Sequence, residues 1–315
     1  MSEPLTDVVV LGAGPAGLSA ALMLGRARRR VVVIDSGEPR NRFAAHMHGV
    51  LGRDGTDPRD LARTGRAEVQ RYGVQIVDGT VVQVEDATPN LLARTADGRC
   101  WSSRALIAAT GVVDRLPDIP GLESRWGSSV LHCPYCDGWE VRDQRLGVLA
   151  DGPMRAHYVH LIRQWSDRVT FFAGAEPLEA EDARRMHARG IGFVSSPIVE
   201  VTGDGPRLTG VRTRDGQLIE LDALFVHAAT VPRDGCLAGL DLARADSPSG
   251  PTVAVDELGR TSDPRIWAIG NVISPSQNVP MALSAGAGAG AAVNMALIAA
   301  DTDQAVAALP MVTSR

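Results

Sequence analysis

The stretch Asp7-Val8-Val9-Val10-Leu11 runs directly into Gly12-Ala13-Gly14-Pro15-Ala16-Gly17, and this junction constrains the fold more than any other part of the 315-residue chain. An apolar run of strand length, a G-x-G-x-x-G turn and a helical pattern through Leu18, Ala21, Leu22 and Leu24 predict a strand–turn–helix unit. The glycines permit a tight turn, close backbone approach to a pyrophosphate and tight helix packing, and the helix N-terminus stabilises phosphate charge. A second strand, Val31-Val32-Val33-Ile34, ends in Asp35, at the spacing where an acidic side chain accepts hydrogen bonds from a ribose. Strand, glycines, helix, strand and acid in this order predict an α/β fold of doubly wound, Rossmann-like type. Later, Leu106-Ile107-Ala108-Ala109-Thr110-Gly111 and Ile266-Trp267-Ala268-Ile269-Gly270-Asn271 each read as a strand ending in a small-residue turn. The second leads into a helix rich in alanine and glycine.

Between these lies Leu131-His132-Cys133-Pro134-Tyr135-Cys136-Asp137-Gly138. C-x-x-C spacing brings two sulfurs close enough for a small disulfide ring, and a thiolate attacking a disulfide is the reactive species in exchange. Pro134 has no N–H and presets φ, which predicts a helix starting near Cys133 whose unpaired N–H groups stabilise a thiolate. His132 can serve as a cation or as a base for a bound thiol, and Asp137 can relay protons if burial raises its pKa. The alternatives are a structural half-zinc site or two idle core thiols. Zinc normally takes four ligands, whereas Cys100 and Cys236 stand alone and far apart, and both read as small buried residues; no metal site is expected. Tyr135 and Trp139 flank the pair, either lining an apolar pocket or packing around the helix. His46 and His48 belong to a loop, as part of a substrate entrance or a proton path, or as local hydrogen-bonders.

A second nucleotide unit follows, and its fingerprint is dismantled. Leu146-Gly147-Val148-Leu149 predicts a strand, Met154 to Trp165 a helix and Val169-Thr170-Phe171-Phe172 the next strand, so the βαβ scaffold is kept. In the turn, Ala150 replaces the first glycine, Arg155 the small third position, and Asp151 brings negative charge toward a pyrophosphate. Each change opposes nucleotide binding, by sterics or by charge. After the second strand, Ala173-Gly174-Ala175-Glu176-Pro177 offers no basic residue for a 2′-phosphate.

The length suits two domains with substantial cores. The expected boundaries place a dinucleotide domain at residues 1–113 and 246–315 with an inserted domain at 114–245, hinged at Asp114 to Gly121 and Arg244 to Pro251. The net charge of −5 argues against a nucleic-acid partner. All 32 basic residues are arginine, which excludes lysine Schiff-base chemistry. The N-terminal residues do not read as a signal peptide, and the run from Val279 to Ala300 suits a packed helix better than a lipid-facing one, so a cytoplasmic location without membrane partners is expected.

The order G-x-G-x-x-G, A-T-G, C-x-x-C-D-G, a second nucleotide fold and A-x-G-N resembles the low-molecular-weight thioredoxin reductase family over essentially the whole chain. The stretches Asp35-Ser36-Gly37-Glu38-Pro39-Arg40-Asn41, His46-Met47-His48-Gly49 and His132-Cys133-Pro134-Tyr135-Cys136 are similar to the branch containing the dithiol oxidases of gliotoxin and holomycin biosynthesis. That resemblance implies two Rossmann-like domains, FAD, a homodimer, and a cysteine pair that closes disulfides in small-molecule dithiols with dioxygen as acceptor. It makes Cys136 the flavin-proximal cysteine, Cys133 the one that exchanges with substrate, Asp137 the acid of the reductases and His132 the histidine that precedes the pair in the oxidases. Expected FAD contacts are Gly12, Gly14, Pro15, Ala16, Gly17, Asp35, Ser36, Arg40, Ala109, Thr110, Gly111, Gly270, Asn271, Asn278 and Val279. Asn271 stands where reductases usually carry aspartate. The competing readings are an NADPH- or ferredoxin-driven thioredoxin reductase and a non-catalytic redox sensor.

Overall fold

The computed structural model describes residues 5–173, 178–247 and 250–309, and the chain divides into two compact units. One gathers the residues up to Arg40 with Arg59–Val113 and Val231 onward; the other gathers Asn41–Pro58 and Asp114–Thr230.

In the first unit the strands lie in the spatial order Gln75–Asp78, Val31–Asp35, Thr6–Leu11, Cys100–Ala108, Asn90–Thr95, Val81–Ala87, and Ile266–Ala268 pairs with Cys100–Ala108. Thr6–Leu11 pairs in parallel on both sides. Every residue of that strand is buried, so it reads as a continuous apolar run, as expected of a parallel strand covered on both faces. The two-residue period sorts its side chains: Val8 and Val10 enter one core with Leu24, Trp267 and Val293, while Val9 and Leu11 enter the opposite core with Leu91, Trp101 and Leu237. The first core is closed by two helices, Pro15–Arg26 and Val279–Ala307. Their backbones approach closely, because a Cβ on Gly286 would lie 2.1 Å from the Ala16 carbonyl oxygen and one on Gly290 would lie 2.8 Å from that of Ala20. Val279–Ala307 is long and apolar enough to cross a membrane by length and composition. Its small residues are used in this contact, and polar anchors fix its far half: Arg29 donates to Asn294 Oδ1 and to Asp301, which also pairs with Arg104.

The second unit holds a parallel sheet in the order Gly192–Val194, Val169–Ala173, Leu146–Ala150, Ala223–Val226, Val130–Leu131, and a three-stranded antiparallel sheet, Ile198–Asp204, Arg207–Thr213 and Leu218–Glu220. Phe171 and Phe225 fill one core and Phe172 and Leu224 another. Both units are thus doubly wound, the architecture the motif order predicts.

The division differs from the sequence expectation in two places. Residues 41–58 join the second unit, and the return crossing falls at 230/231 rather than at 245/246. The reason is packing: Cys236 and Leu237 are buried in the same core as Val9 and Leu11, and Arg244–Ala245, placed above in a hinge, pairs antiparallel with Thr252–Val253.

Candidate active site

The disulfide unit brings together residues from the ends of two strands, the short helix Pro134–Asp137 and the helix Arg155–Ile162. Cys133 and Cys136 form a disulfide with Cα atoms 5.2 Å apart. Cys133 caps the helix Pro134–Asp137 in extended conformation, with Pro134 at its first position as the sequence predicts. The helix is a single turn, and the Cys136 and Asp137 amides both donate to the Cys133 carbonyl, at 3.0 and 3.1 Å. Those two N–H groups are therefore committed to the main chain, which weakens the expectation that the helix end stabilises a Cys133 thiolate. Gly138 is required by packing: a Cβ there would lie 2.4 Å from the Pro134 carbonyl oxygen and 2.8 Å from the Trp165 indole. That indole meets the Tyr135 ring edge-on at 5.6 Å. Tyr135 and Trp139 are 70% and 65% exposed, so they form an apolar surface beside the disulfide rather than a wrapping around the helix.

His132 follows Val130–Leu131 at the carboxyl end of the parallel sheet, where ligands of open α/β sheets bind. Its Nδ1 lies 3.2 Å from the Val226 carbonyl oxygen. A carbonyl only accepts, so Nδ1 carries a proton; in the neutral ring that tautomer puts the lone pair on Nε2. The His132 carbonyl in turn accepts a hydrogen bond from the Tyr158 hydroxyl. Burial pushes that hydroxyl well above the ordinary tyrosine range, so it remains a donor. The His227 ring stacks on His132 at 6.1 Å and Trp126 packs at 6.2 Å. Sequence reasoning missed Tyr158 and His227. The available signal for His227 was a histidine at the carboxyl end of the buried strand Ala223–Val226.

Asp137 is half-buried, and its carboxyl is pushed up to about 6, first by burial and then by the charge of Glu140, with His48 acting in the opposite sense. His48 reaches this unit through the 41–58 segment, while His46 is exposed. Of the remaining thiols, Cys236 is buried and its thiol is pushed up to about 11 by burial. Cys100, in contrast to the expectation, is half-exposed and accepts a hydrogen bond from Arg94 Nη1 at 3.1 Å. Among the described residues no cluster of His, Cys, Asp and Glu could hold a metal ion.

In the dinucleotide unit the expected contacts form a tight turn. Gly12 has φ of +101°, and a Cβ there would lie 2.6 Å from the Ala109 carbonyl oxygen; a Cβ on Gly17 would lie 1.9 Å from the Gly12 carbonyl oxygen. Gly14 caps the helix and Pro15 opens it. Asp35 accepts from the Ala13 N–H at 2.9 Å and from Arg66 at 2.8 Å. Ala109 packs against the core, Gly111 has φ of +73°, and the Thr110 hydroxyl is buried with no hydrogen-bond partner among the described residues. Gly270, also at φ +73°, would bring a Cβ to 3.0 Å from that of Ala16. A phosphate-cradling turn, an acid at the next strand's end and an orphaned buried hydroxyl suit a dinucleotide. Ser36 is exposed, and Arg40 donates to the Pro275 carbonyl. Asn278 caps the long helix by accepting from the Met281 N–H, and Val279 opens it. Asn271 donates through Nδ2 to the carbonyls of Ser274, Pro275 and Gln277 at 3.1, 3.1 and 2.9 Å. An aspartate would place an acceptor against three acceptors, which explains the departure from the reductase pattern.

The second turn is built differently. Leu146–Ala150 is followed by residues 151–154 outside any helix, and the helix begins at Arg155, not at Met154 as expected. Arg155 is only 9% exposed. The stretch Gly174 to Pro177, where the sequence has no basic residue, lies outside the described residues.

A disulfide seated at the carboxyl edge of one doubly wound unit, accompanied by a second unit with a dinucleotide turn, defines a disulfide oxidoreductase. The chain belongs to the pyridine nucleotide-disulphide oxidoreductase family, whose profile matches residues 6–290. It is 33% identical over 313 residues to the thioredoxin reductase tcpT of Claviceps purpurea (strain 20.1), covering 94% of this chain and 95% of that protein. To the thioredoxin reductase sirT of Leptosphaeria maculans it is 31% identical over 316 residues, with the same coverage of 94% and 95%. The crystal structure of HlmI superimposes with a TM-score of 0.93 at 42% identity, covering 98% of each chain. The likeness to thioredoxin reductases seen in the motif order therefore extends over nearly the whole chain.

Proposed function

We propose that this oxidoreductase is an FAD-dependent dithiol oxidase that closes an intramolecular disulfide in a small-molecule dithiol, with dioxygen as acceptor and hydrogen peroxide as product. The observation that carries this reading is the contrast between the two nucleotide turns. The first keeps the glycines a pyrophosphate needs, whereas the second places a buried Arg155 where the third small residue belongs and starts its helix late. FAD then falls to Gly12, Gly14, Gly17, Asp35, Thr110, Gly270 and Asn271, and an NADPH site is lost.

Within the disulfide unit, His132 Nε2 takes a proton from a substrate thiol, and the resulting thiolate attacks Cys133 Sγ. The Cys133–Cys136 bond breaks and Cys136 leaves as a thiolate. The substrate's second thiol displaces Cys133 from the mixed disulfide, so two electrons reside on the cysteine pair and the substrate leaves as a disulfide. Asp137, titrating near 6, can hold or release a proton beside Cys136 at neutral pH. When bound, FAD supplies the acceptor for those two electrons and its reoxidation by dioxygen. The exposed Tyr135 and Trp139 rings offer an apolar landing surface for a small substrate.

A second reading is NADPH-dependent thioredoxin reductase, favoured by the names of the relatives. Anaerobic flavin bleaching separates the two. Under the oxidase reading millimolar NADPH leaves the flavin yellow, a small dithiol bleaches it, and air restores the colour with hydrogen peroxide. Rapid bleaching by micromolar NADPH would replace the oxidase reading with the reductase one.

A further inference from the structure

Closing a disulfide in a dithiol releases two protons along with two electrons, and His132 can take only the first proton. It then stands as an imidazolium, with the Nδ1–H facing the Val226 carbonyl and the new proton on Nε2. No lone pair is left for the substrate's second thiol, so a second acceptor is needed at the same edge of the sheet. His227 stands there. It follows the buried strand Ala223–Val226, and its N–H donates to the Leu149 carbonyl at 3.0 Å. That places it at the mouth of the crevice between Ala223–Val226 and Leu146–Ala150. The strand order reverses at this point, with Val169–Ala173 on the far side of Leu146–Ala150, and open α/β sheets bind ligands at such a reversal.

The His227 ring lies 6.1 Å from that of His132, centroid to centroid, with the two planes inclined by 25°. One small molecule carrying two thiols can reach both rings. The Tyr158 ring packs against His227 at 5.3 Å. Among the described residues neither ring nitrogen of His227 has a hydrogen-bond partner. The residue keeps a solvent-exposed edge, while burial of the packed part of its ring holds its proton affinity below the ordinary histidine value. At neutral pH it is therefore a neutral imidazole with an available lone pair. The groups facing it are His132, which follows Val130–Leu131, and Tyr158 from the helix Arg155–Ile162, whose hydroxyl is spent on the His132 carbonyl.

We infer that His227 is a second catalytic base of the exchange site, which takes the proton of the substrate's second thiol. The inference rests on the redox cycling of Cys133 and Cys136 proposed above and is independent of the final electron acceptor. In the step concerned the second S–H bond breaks as an N–H bond forms on His227. The new thiolate closes the substrate disulfide, and the mixed-disulfide bond to Cys133 Sγ breaks. His132 returns its proton to the departing Cys133 sulfur. Two electrons and one proton stay with the cysteine pair, and the other proton passes from the exposed edge of His227 to water.

In the test the full chain is mixed without air with dithiothreitol or with 2-mercaptoethanol, and rapid acid quenching with mass spectrometry follows the Cys133 adduct over time. 2-Mercaptoethanol has no second thiol and isolates the first step. His227→Phe keeps a ring against Tyr158 but removes the base. It should form the adduct at the wild-type rate with either thiol. Its resolution by dithiothreitol should slow by roughly 10²-fold, the lower end of the range for a positioned base, so that the adduct accumulates. His227→Gln should behave alike. Resolution at the wild-type rate in these variants would reduce His227 to packing and overturns the proposal. Slowed adduct formation with 2-mercaptoethanol also overturns it, because His227 would then act through His132. If neither variant folds, the wild type decides. Resolution of its adduct should level off above a midpoint lower than the ordinary histidine value and fall on acidification below it. A rate that climbs about tenfold per pH unit throughout, as the thiolate fraction does, overturns the proposal. Wild-type cysteines that dithiothreitol cannot reduce would instead overturn the redox reading of the pair.

Discussion

The two nucleotide turns of this chain are built on the same strand–turn–helix plan and differ in what the turn can hold. Aligning Gly12 with Ala150 sets Gly14 on Gly152 and Gly17 on Arg155. In the first turn a Cβ at Gly17 would strike the Gly12 carbonyl at 1.9 Å, and the helix starts at Pro15. In the second turn the same position carries a long side chain, and the helix starts only there, at Arg155. Both units nonetheless keep parallel sheets with fully buried strands. The βαβ scaffold is therefore held by its apolar strands, while the glycines serve close approach and a ligand. Fold and nucleotide site are separable in one molecule.

The largest effect expected from breaking this comparison lies in the disulfide unit. Cys133→Ser or Cys136→Ser should abolish dithiol turnover while the protein stays yellow, because the proposed function assigns exchange and flavin retention to different units. A steady-state oxygen-uptake assay with either variant near wild-type rates would refute the division of labour. Next in size, His132→Ala should slow the thiol-dependent reduction by roughly 10²–10⁴-fold, the range for a positioned base, with flavin reoxidation unchanged. Stopped-flow traces showing an unaltered reductive half-reaction would assign His132 to packing with Trp126 and His227.

The turns themselves can be exchanged by single substitutions. Gly17→Ala forces a methyl group onto backbone and should destabilise the dinucleotide unit by about 1–3 kcal/mol, with flavin lost during purification. Arg155→Ala alters a turn that the proposed reading leaves without a nucleotide, and should leave the flavin-to-protein absorbance ratio unchanged. Equal flavin loss in both variants would mean that the second turn also contributes to cofactor retention.

Much of this contrast was legible in the sequence because it is written in local order. Strand, glycines, helix and acid lie within residues 7–35, and a six-residue turn betrays its loss of glycine by inspection. Long-range pairings left no such trace. Tyr158 binds the His132 carbonyl from 26 positions away, and Val226 fixes the His132 tautomer from 94. Neither contact produces a period or a motif. The transfer of residues 41–58 to the other unit was hidden for the same reason, since its burial rests on isolated apolar residues, Met47 and Val50. In the sequence Asn271 is only a departure from a pattern; its three carbonyl partners give the physical reason.

The smallest expected effect concerns stability rather than turnover, and it tests whether the disulfide unit tolerates a poorly solvated acid for the sake of its chemistry. Burial raises the Asp137 carboxyl from 3.8 to about 6, so between those values the folded chain binds a proton that the unfolded chain releases. Stability linked to this group is thus highest below about pH 4 and falls as the pH rises toward 6, the reverse of the usual carboxylate. Asp137→Asn removes the ionisation while keeping the shape. At pH 7 the variant should be more stable than the wild type by about 1–2 kcal/mol, a value discounted for the partial solvent contact of the group. Well below pH 3.8, where the wild-type carboxyl is neutral in both states, the two melting temperatures should converge. Calorimetric scans across this range provide the check. A variant less stable than the wild type at pH 7 would show that Asp137 is stabilised as an anion, and its role as a proton donor beside Cys136 would have to be given up.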